Sequence, residues 1–131
     1  MYEVRVTADF AAAHFLRDYH GKCERLHGHN YTVYAHVRGE MLDAGGMLVD
    51  FAVLTGALST VVGALDHTNL NDNPAFAQNP SAERIARYIY DGLLVELAAR
   101  GTDVSGKDGG ARLCAVDVFE TATSRARYVP D

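Results

Sequence analysis

The amino-acid sequence predicts an α+β fold, in which two helices cover one face of an antiparallel sheet. Two stretches of alternating apolar residues come first, two stretches with helical spacing follow, and two further strand-like runs come last. Strands grouped on either side of a helical pair are typical of a sheet with helices on one face. At 131 residues the chain is expected to form a single domain over 1–131.

The first two predicted strands form an antiparallel pair with one apolar face. Apolar side chains occupy alternate positions from Tyr2 to about Phe15, and a second alternating run covers residues 27–38. Alternate residues of a strand point to the same side of the sheet. The polar residues 17–25 between these runs predict a loop that is longer than a tight hairpin.

Two amphipathic helices are predicted next. Asp50 can cap the first, whose apolar residues recur at helical spacing from Phe51 to Leu65. The second begins near Pro80 or Ser81 and ends at Arg100-Gly101, a plausible helix C-cap. The side chains that the second helix is predicted to bury are Ile85, Tyr88, Ile89, Leu93 and Leu97.

The last part of the chain predicts a loop and two strands. Residues 101–110 are rich in glycine and polar residues and predict a flexible loop. Strands are expected at Arg112 to about Glu120 and near 125–129. A sheet of four strands in the order ββααββ has two open edges, and open edges favour pairing with another subunit. We therefore expect a homo-oligomer.

Composition excludes several classes of protein. A net charge of −5 argues against a nucleic-acid partner, because such proteins usually carry a basic stripe. No run approaches the roughly 18 apolar residues of a membrane span, so no membrane partner is expected. The opening residues lack the pattern of a secretory signal. A reducing cytoplasm is the expected location, where Cys23 and Cys114 are free thiols rather than a disulfide.

Three histidines are predicted to meet at one end of the apolar face. His27 and His29 lie two residues apart on the second strand, and His14 ends the matching face of the first. Three core histidines bonded to carbonyls would be the alternative, but three on one face favour a metal site. Three imidazoles with an open fourth position are typical of catalytic zinc. Ligand type alone also admits iron or another transition metal.

Cys23 lies four residues before His27 and has two possible roles. It could complete a closed structural site with the three histidines, or it could act near the metal as a thiolate. Lys22 and Arg25 favour the thiolate, because neighbouring cations lower the pKa of a thiol. Cys114, between two apolar neighbours, is predicted to be inert packing, and His20 and His36 are predicted to lie on the surface.

Three further polar residues carry weaker signals. Asp66 and His67 follow the first helix, where His67 can shuttle protons while a carboxylate orients it. Glu120 ends the third predicted strand, and its carboxylate can accept from adjacent ring N–H and amino groups of a heterocycle. The alternatives are a turn aspartate, a solvated loop histidine and a surface strand glutamate.

These residues together resemble a known enzyme family. The segments are FAAAH (10–14), KCERLHGHNY (22–31), GMLVDF (46–51), LDHTNLND (65–72), NPSAERIA (79–86) and FET (119–121). The sequence is similar to the 6-pyruvoyltetrahydropterin synthase and 6-carboxytetrahydropterin synthase family. The three-residue spacer between the cysteine and HGH resembles the bacterial enzyme of queuosine biosynthesis.

The resemblance implies a fold, a ligand set and an assembly. The fold would be the tunnelling fold (T-fold), with a four-stranded antiparallel sheet and two helices, assembled as trimers that stack into a hexamer. His14, His27 and His29 would bind one zinc ion per subunit. The active sites would lie between subunits, where residues at the Ser81 position of a neighbour help to hold the pterin. The usual Thr-rich start of the second helix is Ser81-Ala82 here.

The implied reaction is a zinc-dependent lyase reaction. It converts 7,8-dihydroneopterin triphosphate to 6-carboxy-5,6,7,8-tetrahydropterin and releases triphosphate and acetaldehyde. Cys23, Asp66 and His67 would be catalytic, and Glu120 would anchor the pterin. From the charge of the loop we add Arg17, Lys22 and Arg25 as cations for the triphosphate. The alternatives are the pyruvoyl synthase, a folate-type paralogue with glutamate in the role of the cysteine, and a non-catalytic zinc or pterin-binding protein.

Overall fold

The computed structural model describes residues 1–17, 21 and 24–131 and contains five strands and two α-helices. In chain order these are β1 (Tyr2–His14), β2 (His27–Gly39), α1 (Phe51–Gly63), β3 (Thr68–Asn69), α2 (Ala82–Ala99), β4 (Arg112–Thr121) and β5 (Ser124–Tyr128). Short 3-10 turns occupy Leu70–Asp72, Pro74–Phe76 and Lys107–Gly109. The α+β prediction is confirmed.

The sheet is mixed and has the strand order β3-β1-β2-β4-β5. The four long strands pair antiparallel with their neighbours, whereas β3 pairs parallel with β1 through Ala12 and Ala13. The prediction of a four-stranded antiparallel sheet therefore misses β3. Two residues are too few to show an alternating pattern, so the sequence carries no periodic signal for this strand.

The pairing of β1 with β2 is unbroken from one end to the other. Tyr2 lies opposite Gly39, and His14 lies opposite His27. No register shift interrupts this pair, so alternate residues of both strands keep to one face of the sheet up to the histidines. The register does shift between His36 and Val37, where β2 pairs with β4. The histidine end of the β1–β2 pair is therefore regular.

Both helices pack on one face of the sheet, and their predicted caps are present. The Asp50 carboxylate accepts from the Ala52 amide, and the Ser81 hydroxyl accepts from the Arg84 amide. Phe51, the first residue of α1, is 57% exposed, so the buried face that its apolar spacing predicts begins only at Leu54. Tyr88 is only half-buried, and α2 buries Tyr90 instead.

The loop at 101–110 is tied down by backbone hydrogen bonds, which corrects the prediction of a flexible segment. The Leu113 amide donates to the Val104 carbonyl, and the Gly106 amide donates to the Ala111 carbonyl. Val104 is buried in the core. Glycine allows the left-handed backbone at Gly106 (φ 79°), so a composition typical of a flexible loop builds a tight turn here. Among the described residues, no helix combines the length and apolarity that crossing a membrane requires.

Candidate metal centre and active site

Three imidazoles converge where β1 ends and β2 begins. His14, the last residue of β1, is fully buried and pairs with His27, the first residue of β2. His29 lies two residues further along β2 and points to the same side of the sheet. One ligand nitrogen from each ring lies within 4.8 Å of the others. The structure therefore brings together the three histidines that the alternating pattern predicts.

Backbone carbonyls orient two of the three rings. The Nδ1–H of His14 donates to the Pro80 carbonyl at 2.8 Å, and the Nδ1–H of His27 donates to the Arg25 carbonyl at 2.7 Å. Histidines that bind metals usually donate their other ring N–H in this way, which fixes the tautomer. The Nε2 atom of each neutral ring is then left with a lone pair directed at the centre of the cluster.

The donor set fits a metal ion. The Nε2 atoms of His14 and His27 lie 3.0 Å apart, and two lone pairs at that distance repel each other unless a cation or proton lies between them. Ligand nitrogens on a tetrahedral zinc ion lie roughly 3.3 Å apart, close to this spacing. Among the described residues the buried Nε2 of His29 has no hydrogen-bond partner. A cation bound by all three nitrogens would satisfy each of these atoms.

Burial keeps two of the three rings in the form that can bind a metal ion. Loss of hydration lowers the pKa of His14 below its ordinary value, although the carbonyl of Pro80 and the charge of Glu120 act in the opposite direction. Loss of hydration also lowers the pKa of His29, against the charge of Glu120. A neutral imidazole is the form that coordinates a metal ion. At neutral pH, His14 and His29 therefore favour the neutral form that a metal ion requires.

Glu120 lies beside the histidines at the end of β4. Its Oε1 atom is 3.2 Å from Nε2 of His14 and 3.5 Å from Nε2 of His29. The side chain is 29% exposed, so the carboxylate borders both the cluster and the solvent. This position allows the carboxylate to bind a group that approaches the three nitrogens from outside.

Asp66 and His67 form an oriented pair after α1. The Asp66 carboxylate accepts from the Ala11 amide at 2.9 Å and lies 2.9 Å from Nδ1 of His67. The Ala11 hydrogen bond and the contact with His67 hold the pKa of Asp66 below its ordinary value. His67 has a left-handed backbone (φ 57°) and a side chain that is 82% exposed. The strained turn therefore presents an oriented imidazole to the surface.

His67 and His29 border one open cleft of about 500 Å³. The floor of this cleft is the end of the β1–β2 pair, including Ala12 and Gly28. A larger cavity of about 870 Å³ lies between the two helices, but it is bordered by none of the predicted site residues that the structure describes. We regard the smaller cleft as the relevant one, because it contains groups that can bind metal and move protons.

The remaining predicted residues take varied positions. Ser81 is the N-cap of α2, where its hydroxyl already accepts a backbone hydrogen bond. Arg25 is exposed, and its carbonyl rather than its guanidinium contacts the cluster. Arg17 donates to the Gln78 carbonyl at 3.3 Å and stacks over Phe15. Lys22, Cys23 and His20 lie outside the described residues.

The prediction of a surface position for His36 is wrong. This residue is 5% exposed, and its Nε2–H donates to Asp117 at 2.7 Å. Arg127 donates to the same carboxylate through Nε and Nη2, at 2.7 and 2.9 Å. Burial raises the pKa of Asp117, but the hydrogen bonds from Arg127 and His36 outweigh it and hold that pKa below its ordinary value. Cys114 is half-buried nearby, and its thiol donates to the His36 carbonyl.

Sequence reasoning also missed two groups beside the metal cluster. The Pro80 carbonyl is a backbone group, and no residue type signals that it will accept from His14. Tyr31 is fully buried, and its hydroxyl lies 3.3 Å from Nδ1 of His14. The parity of β2 places Tyr31 on the same face as His27 and His29, so that pattern could have identified it.

Comparisons with known proteins assign the sequence to a family. The sequence model of the family described as 6-pyruvoyl tetrahydropterin synthase matches residues 3–131. A Synechocystis protein named 6-carboxy-5,6,7,8-tetrahydropterin synthase is 38% identical over 124 residues, covering 91% of this chain and 86% of the relative. A Bacillus subtilis protein of the same name is 43% identical over 96 residues, covering 69% of this chain but only 64% of the relative.

Solved structures show the same fold. The 6-pyruvoyl tetrahydropterin synthase of Caenorhabditis elegans superposes with a TM-score of 0.82 at 26% identity, covering 99% of this chain and 96% of that one. The Plasmodium falciparum enzyme gives a TM-score of 0.75 at 27% identity, covering 97% and 96%. These neighbours, the mixed five-stranded sheet and the two helices fit an α+β tunnelling fold. The chain belongs to the 6-pyruvoyl tetrahydropterin synthase family.

Proposed function

We propose that the protein is a zinc-dependent lyase that converts 7,8-dihydroneopterin triphosphate to 6-carboxy-5,6,7,8-tetrahydropterin, releasing triphosphate and acetaldehyde. The observation that carries the proposal is the convergence of three imidazoles beside a carboxylate at one end of the sheet. Relatives named tetrahydropterin synthases support a lyase-type enzyme. The matched Synechocystis and Bacillus proteins carry the 6-carboxy name, which favours that product.

Each histidine has a defined role in this proposal. His14, His27 and His29 would hold the zinc ion through Nε2, and the Pro80 and Arg25 carbonyls fix the first two rings. When bound, zinc supplies Lewis acidity toward the side-chain oxygens of the substrate and makes the adjacent C–H and O–H bonds more acidic. Three protein ligands leave a coordination position for the substrate.

Glu120 is proposed to bind the pterin ring. A carboxylate accepts two parallel hydrogen bonds from a ring N–H and a neighbouring amino group, and it discriminates against rings that lack them. The carboxylate lies within 3.5 Å of Nε2 of His14 and of His29. In the absence of ligand it contacts the imidazoles, and a pterin would compete for the same oxygens. Ser81 of a neighbouring subunit is proposed as a further contact.

Proton transfer is assigned to Cys23 and to the Asp66–His67 pair. The Asp66 carboxylate holds Nδ1 of His67, so that Nε2 is free to accept or donate a proton. Cys23 precedes the zinc ligands by four residues and is proposed to act as a thiolate beside them. Lys22 and Arg25 are proposed to bind the triphosphate.

A homo-oligomer is proposed from the open sheet edges. In the described part of the chain, β5 has no second partner, and β1 has only a two-residue contact with β3 on its outer side. Pairing between such edges in different subunits would extend the sheet. His67 is 82% exposed in one chain, and a neighbouring subunit would enclose it.

The pyruvoyl synthase is the second candidate. A Drosophila melanogaster protein named 6-pyruvoyl tetrahydrobiopterin synthase is 43% identical over 82 residues, which is 59% of this chain. Both candidates would use the same zinc site and substrate, so the products separate them. Zinc-loaded protein should be incubated anaerobically with 7,8-dihydroneopterin triphosphate. Acetaldehyde and a 6-carboxy pterin support the proposal, a 6-pyruvoyl pterin supports the second candidate, and unchanged substrate contradicts both.

A further inference from the structure

The side chain of Asn71 connects its own turn to two other segments near the histidine cluster, one at Phe15 and one at Gln78. Its Oδ1 accepts from the Phe15 amide at 2.8 Å, and its Nδ2 donates to the Phe15 carbonyl at 3.0 Å. Phe15 directly follows the buried His14, so this amide pair takes the place of a neighbouring strand at the end of β1. The second Nδ2 hydrogen donates to the Gln78 carbonyl at 3.2 Å.

The segment that receives this last hydrogen bond is strained. Ala77 and Gln78 both have left-handed backbones, with φ of 50° and 63°. A non-glycine residue in this region costs energy and persists only where surrounding contacts hold it. Asn71 and Arg17 both donate to the Gln78 carbonyl, and Arg84 donates to the Phe76 carbonyl at 2.7 Å. These contacts fix the path of the chain into Pro80.

The two ends of this linkage act on the same imidazole. Asn71 holds the backbone next to His14, and it also holds the segment whose Pro80 carbonyl accepts from Nδ1 of His14. The Asn71 side chain therefore links the backbone that carries the His14 ring to the segment that carries its acceptor carbonyl, alongside the contacts of Arg17 with Gln78 and Asn79.

We propose that Asn71 is a positioning residue for the metal site, which aims Nε2 of His14 at the metal without touching it. The inference rests on the proposed zinc site. Residues that orient metal ligands typically change metal affinity by 10–100-fold when they are replaced. Asn71 acts one contact further away, so we expect a loss near the lower end of that range.

The test compares zinc affinity in three variants by competition with a chromophoric chelator. Asn71→Leu has a similar size and loses all three hydrogen bonds. Asn71→Asp keeps the acceptor for the Phe15 amide but loses both donors. The matched control is Asn73→Leu, since Asn73 lies in the same turn region and, within the described residues, its side chain accepts only from the Ala75 amide. We expect about tenfold weaker zinc binding in both Asn71 variants and a change below about twofold in the control.

A second measurement does not depend on metal. In metal-free protein, NMR of the His14 Nδ1–H should show a hydrogen-bonded, slowly exchanging proton that is lost in Asn71→Leu and retained in Asn73→Leu. Thermal midpoints of the metal-free variants show whether each is folded, and Asn71→Asp replaces Asn71→Leu if the latter is not. Wild-type zinc affinity in the folded Asn71 variants, with an unchanged His14 proton, would overturn the proposal. If the wild-type protein binds no zinc, the proposed function fails while the His14 proton still decides the role of Asn71.

Discussion

Replacement of Asp117 by alanine should strongly destabilise the protein. Its carboxylate is 4% exposed and accepts three hydrogen bonds of 2.7–2.9 Å, two from Arg127 and one from His36. Hydrogen bonds to charged groups typically contribute about 1.5–3 kcal/mol each. Arg127 is 40% exposed and would regain water in the variant, which reduces the sum. His36, with 7% of its side chain exposed, would remain without its partner.

We therefore expect Asp117→Ala to lower the free energy of unfolding by about 3–5 kcal/mol, the usual cost of removing one member of a buried charged pair. Urea denaturation of metal-free protein, at one fixed protein concentration, measures this change directly. The matched control is Asp91→Ala. The Asp91 carboxylate is 61% exposed and lies 3.8 Å from Arg87, so its loss should change stability by at most about 0.5 kcal/mol.

A loss below about 1 kcal/mol for Asp117→Ala would refute the reasoning, because it would mean that water replaces the three hydrogen bonds. Equal losses for the two aspartate variants would refute it as well.

The other predictions concern the metal site and the assembly. Cys23→Ala should retain zinc but lose about 10²–10⁴-fold in turnover, as for a placed acid–base group; zinc loss together with unfolding would instead identify a structural ligand. Burial lowers the pKa of His14 and His29 in the folded protein. As the pH falls through the ordinary histidine value of about 6.5, the unfolded chain therefore binds more protons than the folded protein, and the folded protein loses stability. The urea midpoint of the metal-free protein should therefore decrease when the pH is lowered from 8 to 5.5, and it should decrease less in His14→Gln. An equal decrease in the wild-type protein and in His14→Gln would contradict the role of His14. Light scattering at micromolar concentration should show a trimer or hexamer, and a fully active monomer would exclude sites between subunits.

Much of the histidine cluster could be predicted because it depends on local periodicity. A strand places alternate residues on one face, so His27 and His29 had to point the same way, and His14 followed from the same rule on β1. The helix cap at Asp50 is similarly local, since a carboxylate satisfies free amides within three residues. These features need only the nearest residues of the chain.

The features that could not be predicted depend on contacts between distant parts of the chain. His36 is buried against Asp117, which lies 81 residues further along the chain and accepts a hydrogen bond from it. The register of the sheet also shifts between His36 and Val37. Pro80 orients His14 through a backbone carbonyl, which every residue possesses. The strand β3 is set by hydrogen bonding to β1 at Ala12 and Ala13 rather than by any pattern of its own.

Zinc reconstitution tests the central claim most directly. Metal-free protein should receive zinc in steps, with turnover of 7,8-dihydroneopterin triphosphate measured at each step. The account predicts no turnover without metal and a linear rise to a plateau at one zinc per subunit. His27→Ala should not reach this plateau, because two imidazoles rarely hold zinc well. Full turnover by the metal-free protein, or a full zinc complement in His27→Ala, would contradict the assignment of the three histidines.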